Sequence, residues 1–124
     1  MTKFKSQGFN NTFKNARKGF NLAVRSEVNI RVHVIVAVIV LLSGYYLQFN
    51  KIEFCIVLFA IALVICTEML NTAIEFALDS IYHNKYSKMV GMAKDISAGA
   101  VMFATVISVI IGLIIYGSKI LVII

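Results

Sequence analysis

The sequence is 124 residues long and 60% hydrophobic, without proline or tryptophan, an apolar share above the roughly 45–50% of soluble domains. Only 15% of residues are charged, yet they sum to +6, and Lys3, Lys5, Lys14, Arg17, Lys18, Arg25 and Arg31 set against Glu27 account for the whole excess. A basic head on a neutral, greasy body excludes a multidomain enzyme, a disulfide-stapled scaffold and a disordered polyelectrolyte, and makes nucleic acid a poor explanation of the charge.

Within the head, the spacing predicts a helix over 9–26. Phe9, Phe13, Ala16, Phe20 and Val24 recur at steps of three or four, with Lys14, Lys18, Asn21 and Arg25 opposite. This is the pattern of a helix lying in a membrane interface with its basic face toward anionic headgroups. The same amphipathicity also fits packing on neighbouring helices.

Three apolar segments follow, at 30–49, 52–80 and 95–124, each long enough for a hydrocarbon core that needs roughly 20 helical residues. The second outlasts the apolar core: polar residues begin at Thr67 while the helical period continues, so its second half is expected to emerge. Cys55 and Cys66 lie on this helix about 16 Å apart by helical rise, too far to bridge, and read as apolar filling. No cleavable signal peptide is expected, since the first apolar run begins late and no small-residue cleavage site follows it. The basic head and the segment with Lys85, Lys88 and Lys94 are expected inside, and the neutral turn around Asn50 and the C-terminus outside.

The emerging half of the second helix is the most informative stretch. Glu68, Asn71, Thr72, Glu75 and Asp79 stand at i, i+3, i+4, i+7 and i+11 and share one helical stripe, with Leu70, Ala73, Ile74 and Leu78 away from it. An unpaired charge at the bilayer centre costs at least about 2.5 kcal/mol, so such a stripe faces a bundle interior, a cavity or the boundary. Three acids this close also repel unless a cation joins them. Ion pairs to Lys94 or Arg31 would meet that need structurally; Mg²⁺, which takes one or two carboxylates and leaves room for water and phosphate, would meet it functionally. Glu27 lies at similar expected depth, although Glu27 with Arg31 also fits an ordinary i,i+4 pair.

The third span is read as opening at Lys94-Asp95, where a helix N-terminus beside Lys94 would hold a phosphate. Behind it, Ala93, Ser97, Ala100, Ala104, Ser108 and Gly112 form a small-residue stripe suited to close helix packing in lipid. His33 and His83 are isolated and read as interfacial polar residues. No phosphate-loop, metal-ligand or serine-elbow pattern occurs.

The segment Glu68-Met69-Leu70-Asn71-Thr72-Ala73-Ile74-Glu75 with Asp79, then Ala93-Lys94-Asp95 and Ser97-Ala98-Gly99-Ala100-Val101, preceded by Glu27-Val28-Asn29-Ile30-Arg31-Val32-His33, resembles the prokaryotic diacylglycerol kinase family. These are small three-span enzymes that include the undecaprenol kinases. The resemblance covers nearly the whole chain. It implies an all-α integral membrane protein, a homotrimer, and active sites near the cytoplasmic face between adjacent protomers. By the same resemblance Glu68 is the general base and Glu27 and Glu75 hold Mg²⁺ and nucleotide. Lys94 and Asp95 are the nucleotide-binding pair, with Asn71 and Asp79 as further polar members. Lys85, Tyr86 and Ser87 occupy the loop that contacts nucleotide. The family's N-terminal arginine contact aligns with Gly8, which leaves Lys14, Arg17 or Lys18 to serve.

The expected activity is ATP- and Mg²⁺-dependent phosphorylation of a membrane lipid alcohol, with diacylglycerol and undecaprenol both open as acceptors. ATP stays out of the bilayer and the lipid stays in it, so the reaction belongs at the interface where the acidic stripe emerges. Two other readings of the residues are a small proton- or ion-handling membrane protein and a structural helper whose ion pairs hold helices together.

Overall fold

The computed structural model describes residues 8–83 and 85–124; Lys3 and Lys5 of the basic head lie outside them. Among the described residues the chain is all-helical, with α1 (Phe9–Ser26), α2 (Val28–Tyr46), α3 (Lys51–Tyr82) and α4 (Lys88–Ile123). The last three are each long and apolar enough to cross a membrane. α3 is the middle element, packed on both α4 and α2, while α1 touches α2 and α3.

No residue of α1 is buried, and Phe9, Phe13 and Phe20 are exposed. The helix ends at Glu27, whose extended backbone separates it from α2. Across this junction the Arg31 guanidinium donates to the carbonyls of Val24 and Arg25 at 3.0 and 2.7 Å, satisfying acceptors that a helix C-terminus leaves open. Arg31 is therefore a cap for α1. It pairs neither with the acidic stripe nor with Glu27, because the α1 carbonyls are the nearer acceptors.

The first span is shorter than its hydropathy indicates: α2 stops at Tyr46 rather than 49. Gln48 takes a positive φ of 60°, and the chain turns so that Phe49 folds back over Gly44, where a Cβ would come within 2.7 Å of the Phe49 ring. Asn50 then caps α3: its side chain accepts from the Glu53 N–H at 2.8 Å, and Glu53 accepts from the Asn50 N–H at 2.9 Å, a reciprocal box that satisfies two donors at once. The apolar signal of Phe49 thus belongs to a plug in the turn. Phe49 packs against Phe54 and Tyr116 with ring centroids 5.6 and 5.5 Å apart, beside buried Val57 and Ile115. The Tyr116 hydroxyl hydrogen-bonds Ser43 and reaches the Val40 carbonyl at 3.4 Å. Lys119 pairs with Glu53 at 2.9 Å and donates to the Gln48 carbonyl at 3.3 Å.

α3 runs two residues past its expected end and stops where His83 adopts the left-handed conformation, φ 51° and ψ 41°, with its N–H on the Asp79 carbonyl. α4 begins at Lys88, well before the expected 95, because the Ser87 hydroxyl accepts the Val90 N–H at 3.1 Å and caps it. Hydropathy marks where a helix becomes apolar, whereas the cap marks where it starts. Of the small-residue stripe, Ser97 and Ala104 are buried and Ser108 donates to the carbonyl of buried Ala60 at 3.3 Å, whereas Ala100 is exposed and a Cβ at Gly112 would meet open space, so close packing holds for only part of the stripe.

Candidate active site

The polar stripe of α3 faces inward. Glu68 and Thr72 are buried, at 6% and 5% exposure, whereas Leu70, Ile74 and Phe76 on the other faces are exposed. In water such a helix would be inside out; in lipid it is the arrangement that spares carboxylates the hydrocarbon. Asn71, Glu75 and Asp79 are half-buried along the same face.

Each carboxylate meets a different neighbour. His33 of α2 brings Nε2 to 3.5 Å from the Glu68 Oε1. Ser97 of α4 donates to Asn71 Oδ1 at 2.6 Å, and Asn71 Nδ2 donates to Glu75 Oε1 at 3.3 Å. This chain fixes which way the amide points and holds one Glu75 oxygen. Nearer the α3–α4 loop, Lys94 pairs with Asp79 at 2.6 Å. That pair is more than a third exposed on both sides, so it holds the lysine in place without binding it strongly.

Lys94 and Asp95 are not at a helix N-terminus. Because α4 starts at Lys88, both lie inside the helix and the free N–H groups belong to the residues after Ser87. The phosphate cradle read beside Lys94 is therefore absent there, and Lys94 can act only through its ammonium charge. Asp95 is exposed. In the loop, Lys85 and Tyr86 are exposed, the Tyr86 ring lies so close over Gly91 that a Cβ there would meet it at 3.0 Å, and Ser87 is the α4 cap. Glu27, half-buried at the α1–α2 junction, forms no ion pair among the described residues.

Two members of this constellation escaped the reading of the sequence. The sequence shows no partner for His33 and only a packing role for Ser97, because both contacts cross between helices, where periodicity along one helix carries no information. A cavity of about 360 Å³ also opens between α2, α3 and α4. Its walls include Val36, Val57, Val64 and Val109, with His33 toward one end and Tyr116 toward the other.

The sequence is similar to those of known proteins. It is 38% identical over 111 residues to the undecaprenol kinase of Bacillus subtilis, covering 90% of this chain and 89% of the relative. It is 32% identical over 101 residues to a diacylglycerol kinase of Synechocystis, covering 82% of this chain and 58% of that longer relative. With the diacylglycerol kinase of Escherichia coli the identity is 29% over 93 residues, 75% of each chain. Three apolar spans around a buried carboxylate, with relatives of these names, define a membrane lipid kinase. The chain belongs to the prokaryotic diacylglycerol kinase family, which it matches over residues 14–116. With that membership comes ATP as phosphoryl donor, and the ion-handling and helix-glue readings fall away.

Proposed function

We propose that this protein transfers the γ-phosphoryl group of ATP to the hydroxyl of undecaprenol, with Mg²⁺, at the cytoplasmic boundary of the membrane. The observation that carries the reading is the inward-facing stripe of α3, along which Glu68 is buried and Glu75 and Asp79, two and three turns nearer the α3–α4 loop, are half-buried. A lipid hydroxyl arriving from the bilayer meets the deep carboxylate first, and a nucleotide arriving from water meets the shallow end. Undecaprenol is preferred to diacylglycerol because the overlap with the B. subtilis relative is both longer and more identical than that with the E. coli relative. A polyprenyl or acyl chain has apolar walls to lie along in the cavity that ends at His33.

The residues suit Mg²⁺. Among the described residues Glu75 receives one hydrogen bond, on Oε1, which leaves its other oxygen for a cation, and Glu27 offers a carboxylate without a competing lysine or arginine. Both are hard oxygen donors. Among the described residues no three His, Cys, Asp or Glu side chains converge on one point, and Mg²⁺ needs no more than one or two carboxylates when phosphate and water complete its shell. When bound, the ion supplies positive charge to phosphate oxygens.

The chain does the rest by position. Glu68 accepts the proton of the lipid hydroxyl as the oxygen attacks phosphorus, a role that demands a carboxylate at hydrogen-bond reach of substrate and shielded from water. Lys94, steadied by Asp79, opposes charge on the transferring group, which matters because phosphoryl transfer depends on positioning and electrostatics more than on covalent help. The Ser97–Asn71–Glu75 chain holds Glu75 in one rotamer. In a homotrimer with the N-terminus inside and the C-terminus outside, α1 lies on the inner leaflet with Lys14, Lys18 and Arg25 toward anionic headgroups. Purified protein in mixed micelles is expected to move labelled γ-phosphate to undecaprenol faster than to diacylglycerol, and only with Mg²⁺. Faster transfer to diacylglycerol would reassign the acceptor, and transfer to neither lipid by folded protein would refute the reading.

A further inference from the structure

Turnover by a buried base raises a question of disposal. Once Glu68 has taken the proton of the lipid hydroxyl, it is a carboxylic acid at 6% exposure, and the next cycle needs the carboxylate back. Water has poor access to it. The one basic side chain in ion-pair reach of Glu68 among the described residues is His33, with Nε2 at 3.5 Å from Oε1. Lys94 is engaged with Asp79. Asn71 is held by Ser97 and Glu75, and an amide nitrogen does not accept protons. Imidazole is the side chain whose ordinary proton affinity lies near neutrality, so it can take a proton from a carboxylic acid and release it again without a large barrier either way. The His33 side chain is also more open than that of Glu68, 26% against 7% exposed. His33 also stands five residues after the start of α2, so a proton passed from α3 to α2 reaches a side chain near the α1–α2 junction.

We propose that His33 is the proton acceptor behind Glu68, a role that rests on Glu68 being the base. The lipid O–H bond breaks as its oxygen bonds phosphorus, and the bond from phosphorus to the ADP oxygen breaks. The proton passes to Glu68. It then moves to the Nε2 lone pair of neutral His33, which restores the carboxylate and leaves an imidazolium; the imidazolium loses the proton to water. One proton leaves per phosphoryl group transferred, as the overall reaction requires. The 3.5 Å separation is longer than a hydrogen bond, and catalytic contacts often tighten only when substrate is bound. His33 does not touch the lipid oxygen in this scheme and acts only through Glu68.

The test uses full-length protein in mixed micelles with three variants. His33→Ala is expected to lower kcat by about 10- to 100-fold, below the full worth of a general base, with KM for ATP within about twofold, since the nucleotide is not bound by the imidazole. Free imidazole should restore that rate saturably, because His33 lines the cavity and its removal leaves room there. His33→Gln, which hydrogen-bonds but carries no proton at neutral pH, should stay slow. Glu68→Gln should be inactive and deaf to imidazole. A His33→Gln enzyme with the parent kcat overturns the relay, as does a His33→Ala enzyme of normal helicity and thermal stability that ignores imidazole. If His33→Ala does not fold, kcat of His33→Gln decides alone. Activity in Glu68→Gln would instead remove the base assignment itself, so the two failures are told apart.

Discussion

The two ends of the helical bundle are built on opposite rules. Where α2 turns into α3, polar groups are matched to one another: Asn50 with Glu53, Glu53 with Lys119, Lys119 with Gln48, Tyr116 with Ser43, all around the Phe49 plug. At the other end Glu68 is buried against a histidine at 3.5 Å, Glu75 is held by a single long amide bond, and Glu27 has no cationic partner among the described residues. The first end spends its polar groups on holding three helices together. The second pairs Asp79 with Lys94 but leaves Glu27, Glu75 and buried Glu68 without a lysine or arginine among the described residues, which at Glu68 is costly to folding and is the condition under which a carboxylate can bind a cation or take a proton.

The sharpest way to break this comparison is at Glu68. Glu68→Gln keeps the shape and removes the proton acceptor, so activity is expected to fall by about 10²–10⁴ while helicity and oligomeric size stay as they were. If the variant instead falls apart on size exclusion, the buried carboxylate is structural and the two ends are alike. Next in size is the Asn71 chain. Asn71→Ala releases both Ser97 and Glu75, and a loss of about 10-fold in kcat/KM is expected together with a raised Mg²⁺ requirement, since groups that orient metal ligands are typically worth 10–100-fold. Ser97→Ala removes only one link and should lie between that variant and the parent in a Mg²⁺ titration.

How much of this was legible in the sequence divides along the same line. Helix existence was legible throughout, because apolar length and period are properties of one segment at a time. The stripe from Glu68 to Asp79 was legible for the same reason, and its inward orientation followed from the cost of charge in lipid. What crosses between helices was not. His33 with Glu68 and Ser97 with Asn71 depend on the axial register of α2 and α4 against α3, which no single-segment periodicity encodes. The turn around Asn50 read only as neutral, although Asn50 and Glu53 stand three apart in the pattern of a capping box; hydropathy drew the first span through Phe49 and hid it. The start of α4 is hidden in the sequence because Ser87 and the polar first turns have the hydropathy of a loop.

At the Phe49 end the expected effects fall on stability and leave the rate alone. Phe49→Ala empties the plug and should cost about 1–3 kcal/mol, below the usual value for a core phenylalanine because lipid solvates the exposed apolar faces and only the packing is lost. Gly44→Ala presses on the same ring from the other side, with a Cβ 2.7 Å from Phe49 and 3.1 Å from Phe54, and overpacking of this kind costs a similar amount. Unfolding in mixed micelles, followed by circular dichroism, should resolve both, with kcat at 25 °C within about twofold of the parent for each because neither touches the carboxylate site. A large fall in kcat without a fall in stability would mean that the plug sets the spacing of α2 and α4 around Glu68.

The smallest effect is expected from Lys119→Met. Its ammonium touches Glu53 and the Gln48 carbonyl, and the two side chains of the pair are 23% and 17% exposed, but Glu53 keeps the Asn50 N–H when the lysine is gone, and a pair that is partly exposed shares some of its charge with water. A slight lowering of the unfolding temperature with unchanged activity is therefore the expected outcome. Salt gives an independent reading. If the pair is solvated, raising ionic strength should erase the difference between Lys119→Met and the parent, because mobile ions screen an exposed pair and barely reach a buried one. A difference that persists in high salt would place Lys119 and Glu53 in a drier setting than their neighbours imply, and the Phe49 end would then share the under-solvated electrostatics that distinguish the Glu68 end.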